Sequence, residues 1–489
     1  MLDTLTYFYQ GRATIFDDIV AKYVTDGGLD DDFIENIEGI SFGEEELSPR
    51  EHLNALHGIL AIAILAQNHP QSEEYCSALS TMLHGLRRIP LWRECQLLSA
   101  IDAFIAILVG EKPRDIVPIQ YDKGAAPLET GDHWMWGAIP HHSLHAELGA
   151  IWAAIGSLTK DKTLIAAARN IALWHNNTIA HDGTPLQGIY SQEPDGNPRD
   201  VMQYDYMLFR TVAIATRDAF MEHRACEIRN AIKVLDGGLE HSRGSYPFLV
   251  AAWAETLAPV PQPHKEDLPT AICDETLALA GIRGENFTII STATGGGTGL
   301  GACRFDDVDI ITYGPQYLPL GECEGFGIEG GETFSCDITD DGFEVSGRAK
   351  LSAYSPDGIH MPTKKWIDIR QEAKNNALTI ETSILNLYNA EEIAFVFYIK
   401  AKTCHLGTMT LHPHSLERYE GKNIPIAFVS DNGAVKITTE NHNPLLQVVP
   451  LAGNKDFWGA NFLVAYSIQP HFKPYHWKIQ HSMIATNEV

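Results

Sequence analysis

Three prolines at alternating positions, Pro259, Pro261 and Pro263, divide this chain of 489 residues between two hydrophobic periods. Each removes a backbone donor and fixes φ, so neither a helix nor a central strand runs through them. Before them, apolar residues recur at helical spacing over His52–Ala66, Ser72–Leu86, Leu91–Val109, Ser143–Leu158, Lys162–Trp174, Val201–Thr216, Asp218–Leu235 and Pro247–Leu257. After Gly281 that pattern does not return. Short alternating runs rich in Ile, Val, Thr and Phe replace it: Phe287–Ser291, Val308–Thr312, Phe343–Val345, Trp366–Arg370, Leu378–Thr382, Ile393–Ala401, Ile426–Val429, Ala434–Thr439 and Phe462–Ile468.

The expected organisation is an all-helical domain over residues 1–257, a proline-rich linker over 258–269 and an antiparallel β-sandwich over 270–489. Consecutive helical hairpins of this number pack as a solenoid or as an α/α toroid whose inner helices line a cavity. No fixed-period repeat stands out, which favours the toroid. The helical half is short, so the toroid is expected to be incomplete.

The formal net charge of −27 argues against nucleic acid or an anionic membrane as partner, because both require a basic surface. An acidic polymer would need a locally basic cleft, for which Arg199 and Arg210 are available. No stretch approaches the roughly 20 apolar residues that cross a bilayer. The start MLDTLTYFYQ has no basic residue before its first apolar positions, so a cytoplasmic location is expected. Cys76, Cys95, Cys226, Cys273, Cys303, Cys323, Cys336 and Cys404 show neither CxxC nor zinc-finger spacing and read as reduced thiols. The glycine run Gly295–Gly301 follows a strand but precedes another strand, not the helix whose N-terminus would hold a phosphate. No cofactor is expected.

Chemically capable side chains are densest between Asp132 and Arg210. Trp134 and Trp136 offer flat apolar faces for sugar rings, and His141, His142 and His145 titrate near neutral pH. His141 and His145 stand four residues apart with Glu147 nearby, but the HExxH zinc arrangement is absent and no metal is expected. Trp174-His-Asn-Asn-Thr178, which includes Asn177, closes one helix. Tyr204 and Tyr206 lie about 200° apart on the helix that follows, so one of them faces a central cavity. Arg210 lies one turn beyond Tyr206.

With these motifs the chain resembles, as a divergent member, the polysaccharide lyases of the heparinase II/III, alginate and chondroitin lyase type. Those enzymes join an α/α toroid to an antiparallel β-sandwich. Pro140-His-His-Ser143 takes the place of the polar pair that opens an inner helix, with histidine where asparagine is usual. The segment Asp195-Gly-Asn-Pro-Arg-Asp-Val-Met-Gln-Tyr-Asp-Tyr206 takes that of the segment presenting the catalytic tyrosine. The resemblance implies β-elimination on a uronate-containing oligo- or polysaccharide. It makes Tyr204 the proton-transfer residue and His141 or His142 the carboxylate neutraliser. Arg210 or Arg199 would then lower the tyrosine pKa. Trp134, Trp136, His145, Asn177, Arg199 and Tyr206 would contact substrate. Two alternatives stay open: a glycoside hydrolase drawing two carboxylates from Asp132, Glu147, Asp182, Glu193, Asp195 and Asp205, and a non-catalytic carbohydrate-binding protein.

Overall fold

The computed structural model describes residues 24–25, 28–29, 49–87, 95–128, 142–186, 198–235, 245–265, 271–293, 299–317, 328–354, 360–385, 393–439, 445–451, 459–468 and 474–483. The chain divides into two compact units, one holding the helices and the other the strands that follow the proline-rich segment. The described segment Asn177–Leu186 groups with the strand unit although it lies between two helices in sequence.

Eight helices are found among the described residues of the first unit: α1 (Pro49–Ala66), α2 (Ser72–Leu86), α3 (Gln96–Leu108), α4 (His142–Thr159), α5 (Lys162–Asn176), α6 (Pro198–Thr216), α7 (Ala219–Leu235) and α8 (Tyr246–Leu257). They fall into two kinds. Helices α1, α3, α4 and α6 are buried along most of their length, whereas α2, α5 and α7 bury one stripe. In α5 that stripe is Leu164, Ala167, Ala168, Ile171, Ala172 and His175, the spacing of a single helical face. A buried layer backed by an amphipathic layer is the α/α arrangement expected from the sequence. Helix α8 packs against α1 as well as α4, so the last described helix of the unit meets the first described one.

Two of the helical hairpins are joined by the same device. At the end of α4, Lys160 takes a left-handed φ of 59°, and at the end of α6, Arg217 takes 61°. The next residue caps the following helix. Asp161 Oδ1 accepts from the amides of Thr163 and Leu164, and Asp218 Oδ1 accepts from those of Phe220 and Met221. The Asp161 and Asp218 amides in turn reach back to the Gly156 and Ala213 carbonyls, closing the ends of α4 and α6.

Helices α4, α5 and α6 meet at Gly149. A Cβ there would lie 2.6 Å from Leu208 Cδ1 and 2.8 Å from Ile171 Cγ2. Gly149→Ala gains about 1 kcal/mol of helix propensity but overpacks the site by about 1–3 kcal/mol. A lower urea midpoint, with no change in far-ultraviolet circular dichroism, is the expected result.

The second unit is a sandwich of two nine-stranded antiparallel sheets. In spatial order, one contains Met409–Leu411, Thr403–Leu406, Ile426–Val429, Gly433–Thr439, Tyr475–Met483, Ala377–Leu385, His360–Lys374, Gly342–Tyr354 and Ile328–Thr339. The other contains Tyr419–Lys422, Leu445–Pro450, Phe462–Ile468, Ile393–Lys400, Val308–Tyr317, Gly301–Phe305, Phe287–Ser291, Leu279–Arg283 and Ala271–Asp274. Phe343, Val345, Ile369 and Ile380 of the first share one core with Ile289, Ile310, Phe397 and Val464 of the second. Ala377–Leu385 alternates between buried and partly exposed residues, as a strand with one wetted face does. Ile393–Lys400 is buried at seven consecutive positions, so its sheet is covered on both faces there. The strand expected after the glycine run is present as Gly301–Phe305.

Asn177–Leu186 is tied to the second sheet by polar contacts. The His181 amide donates to Thr288 Oγ1 at 3.2 Å, and Arg304 bridges Asp182 at 2.6 Å and Asp309 at 2.6 Å. Burial works against a charged Asp182, yet Arg304 and the Thr184 hydrogen bonds hold its pKa below the usual value.

Candidate active site in the helical unit

Among the described residues, two buried polar networks of the helical unit are anchored on α4. The first joins α4, α5 and α6. His142 Nε2 lies 2.6 Å from Asp205 Oδ1, His175 Nδ1 lies 3.4 Å from the same oxygen, and His175 Nε2 lies 2.8 Å from His145 Nδ1. The backbone amide of Ala126 donates to His145 Nε2 at 2.9 Å. His145, His175 and Asp205 are all fully buried.

That amide orders the protons along the chain. A peptide N–H can only donate, so His145 Nε2 carries no proton and its Nδ1 does. His145 Nδ1–H therefore donates to His175 Nε2, which leaves the His175 proton on Nδ1, facing Asp205. Burial holds His145 far below the ordinary imidazole pKa and lowers His175 to about 4 despite its contact with Asp205, so both rings are neutral at pH 7. Burial opposes a charged Asp205, but the two histidines outweigh it and its pKa falls to about 2. The carboxylate is thus ionised, hydrogen-bonded to His142 and faced by His175 Nδ1 at 3.4 Å.

His142, His175 and Asp205 also place three ligand atoms within 4.8 Å of one another, a donor set that suits a divalent cation. The proton order does not suit one. Ligation through His175 Nδ1 would move its proton to Nε2, reverse His145 and set a His145 Nε2–H against the Ala126 N–H. The contacts form a hydrogen-bonded chain from the Ala126 amide through His145 to His175.

The second network joins α1, α4 and α8. Glu147 Oε1 accepts from His57 Nε2 and from the Tyr246 hydroxyl, each at 2.7 Å. The His57 and Tyr246 rings stack at 4.4 Å. Burial, then Glu147, then Tyr204 push the Tyr246 pKa well above that of a free phenol. Tyr204, on α6, thus lies close enough to act electrostatically on Tyr246. It is itself half-buried.

Arg210 is engaged elsewhere. Its Nε donates to Glu255 at 2.9 Å, its Nη1 to Glu222, and its guanidinium lies over the Tyr206 ring at 5.8 Å from the centroid. Two carboxylates compensate its charge. Tyr206 is buried against Phe248, and burial raises its pKa in spite of Arg210.

Of the residues expected at the site, the fold brings His142 and His145 into one network with Asp205 and sets Tyr204 near Tyr246. It gathers Arg210 and Tyr206 with Glu222 and Glu255. Both nitrogens of His142 are turned from solvent, Nε2 onto Asp205 and Nδ1 into the interior. Asn177 lies just past α5, in the segment that groups with the sandwich. Trp134, Trp136, His141 and the Arg199 side chain lie outside the described residues. Sequence reasoning overlooked His175, His57 and Tyr246. The first stood in the Trp174–Thr178 motif; the others carry no local signal.

No family model matches the sequence, and no curated protein matches it. Solved structures do. A xanthan lyase from Paenibacillus superposes with a TM-score of 0.58 at 9% identity, covering 97% of this chain and 53% of that one. The chondroitin AC lyase of Streptomyces coelicolor A3, solved in complex with chondroitin sulphate, superposes with a TM-score of 0.53 at 9% identity, covering 99% of this chain and 75% of that one. This chain therefore spans about half the length of the xanthan lyase. At this level of identity the likeness concerns the fold, and the fold of this chain is that of polysaccharide lyases, with helices first and a β-sandwich after them.

Proposed function

We propose that the protein is a carbohydrate-active enzyme, a polysaccharide lyase that cleaves uronate-containing glycans by β-elimination with Tyr204 as the proton-transfer group. The observation that carries this reading is the contrast among three neighbouring tyrosines. Tyr206 and Tyr246 are buried with raised pKa values, whereas Tyr204 is half-buried and keeps part of its side chain open to solvent. In the reaction the Tyr204 phenolate takes the C5 proton of the uronate. The C5 electron pair forms the new double bond as the bond to the leaving glycosidic oxygen breaks, and the Tyr204 hydroxyl returns the proton to that oxygen. Loss of the C5 proton requires neutralisation of the adjacent carboxylate. His141 and Arg199 are proposed for that role, since Arg210 is matched by Glu222 and Glu255. Trp134, Trp136 and Asn177 are proposed to hold the sugar rings. The chondroitin sulphate bound by one structural neighbour supports a polysaccharide as partner.

Hydrolysis would need two facing carboxylates. Among the described residues Glu147 and Asp205 are fully buried within hydrogen-bond networks, and Asp182 is paired with Arg304. Asp132, Glu193 and Asp195 lie outside the described residues, and the engagement of the other three supports elimination.

The test is incubation with alginate, heparan sulfate, chondroitin and xanthan, following both the ultraviolet absorbance of an unsaturated uronate and the release of reducing ends. A lyase raises both signals on at least one glycan. Reducing ends without absorbance would mean hydrolysis, and neither signal would leave a binding role.

A further inference from the structure

Among the described cysteines, two differ from the others in where the topology puts them. Cys273 lies on Ala271–Asp274, the outermost strand of one sheet, and Cys336 lies on Ile328–Thr339, the outermost strand of the other. These two edge strands touch each other. In an antiparallel ladder, directly opposed residues project on the same face. Cys273 is paired with Ala280 and Cys336 with Val345, and both partners belong to the sandwich core. Each sulfur therefore projects from its edge toward the space between the sheets, and Cys336 packs against the core there. Both are half-buried, unlike Cys303 and Cys404, which are enclosed. Cys76 contacts the Leu108 carbonyl and Cys226 the Glu222 carboxylate, so neither competes for this pairing.

We propose that Cys273 and Cys336 form a reversible disulfide that staples the open edge of the sandwich, linking the terminal strand of one sheet to that of the other. Burial and then a hydrogen bond to Cys273 raise the Cys336 thiol pKa, which agrees with the two sulfurs being neighbours. Edge strands expose unpaired backbone groups and are where a sandwich opens first. A covalent tie there removes that opening and also restricts the unfolded chain.

The oxidant is a small-molecule disulfide such as oxidised glutathione. One protein thiolate attacks it, forming a mixed disulfide and releasing one small thiolate. The second protein thiolate attacks the protein-side sulfur of that mixed disulfide and releases the second small thiolate. Two protein thiols are oxidised to one cystine, one small disulfide is reduced to two thiols, and proton number balances. The attacker in each step is a thiolate, so closure quickens as pH rises. The pair belongs to the sandwich unit and is independent of the proposed elimination.

The full chain is treated with oxidised glutathione or with dithiothreitol, alkylated, digested without reduction and mapped by mass spectrometry. The expected result is a linked peptide joining Cys273 to Cys336 in the oxidised sample, absent after reduction and absent from Cys273→Ser and Cys336→Ser. The oxidised wild type should melt about 5–10 °C above the reduced form, and Cys273→Ala, kept as a second variant of similar size, should lose that difference. Full alkylation of both cysteines after oxidation, a lasting glutathione adduct on either one, or a linkage between any other pair would overturn the proposal. Each of these outcomes is read on the wild-type protein, so a variant that fails to fold leaves the result intact.

Discussion

Tyr204→Phe is expected to lower eliminative turnover by roughly 100- to 10,000-fold, the usual contribution of a general base or acid, with only about 1 kcal/mol of stability lost. The substitution removes one hydroxyl from a half-buried side chain and no core volume. Tyr246→Phe separates the two roles. It removes the hydroxyl that donates to Glu147 in a fully buried network, so its effect should be a stability loss of about 1–3 kcal/mol. Turnover on the glycan that responds best, measured beside urea unfolding of each variant, gives the comparison. Full activity in Tyr204→Phe would remove this residue from the reaction and leave the fold assignment untouched.

The second large effect is on acid stability. His175 and His52 are held neutral in the folded chain, each lowered by burial from 6.5 to about 4. Burial also lowers His145 well below 6.5. Between these values the unfolded chain binds protons that the folded chain refuses. The unfolded state therefore carries more protons and stability rises with pH across that window. Stability is fully present above pH 6.5 and declines as pH falls toward about 4. Each lowered histidine contributes on the order of 3 kcal/mol across the window. Asp205 acts below it. Its pKa is depressed from 3.8 to about 2, so its contribution is present above 3.8 and lost as pH falls through about 2. Urea midpoints measured from neutral pH downward should therefore decline steeply well before carboxylates protonate. His52→Gln should flatten that slope by one proton. A midpoint independent of pH between 6.5 and 4 would show that these rings are not held neutral.

The two predictions read different consequences of the same burial. Helices α4, α5 and α6 meet at Gly149, and His145, His175 and Asp205 on the same three helices are sealed from solvent. That exclusion keeps imidazoles neutral and leaves the tautomer of each ring to be set by a fixed backbone donor at Ala126. Tyr204 escapes it, and the chemistry proposed for this chain depends on that escape.

Secondary structure was legible in the sequence because its signals are local. Apolar spacing alone placed Ser72–Leu86, Phe287–Ser291, Ile426–Val429 and Phe462–Ile468 at the bounds they have in the fold. The shared Thr-Lys-Asp and Thr-Arg-Asp endings of α4 and α6 were also open to reading, since a left-handed residue followed by an aspartate cap is a local device. Strands such as Tyr419–Lys422 and Thr403–Leu406 were not, being short and held by ladder partners distant in sequence.

The polar networks belonged to the tertiary structure alone. Glu147 takes its donors from positions 90 and 99 residues away, and Asp205 meets His142 across 63. No periodicity encodes such a meeting, because it follows from which helix faces pack together. Arg210 shows the same limit: its sequence position suggested a free positive charge, and the fold matched that charge with Glu222 and Glu255. Hydrophobic spacing thus determined where helices and strands form, since each residue's period acts within a turn or two. Which titratable groups share a buried volume, and so what charge each carries, was decided only when those elements packed.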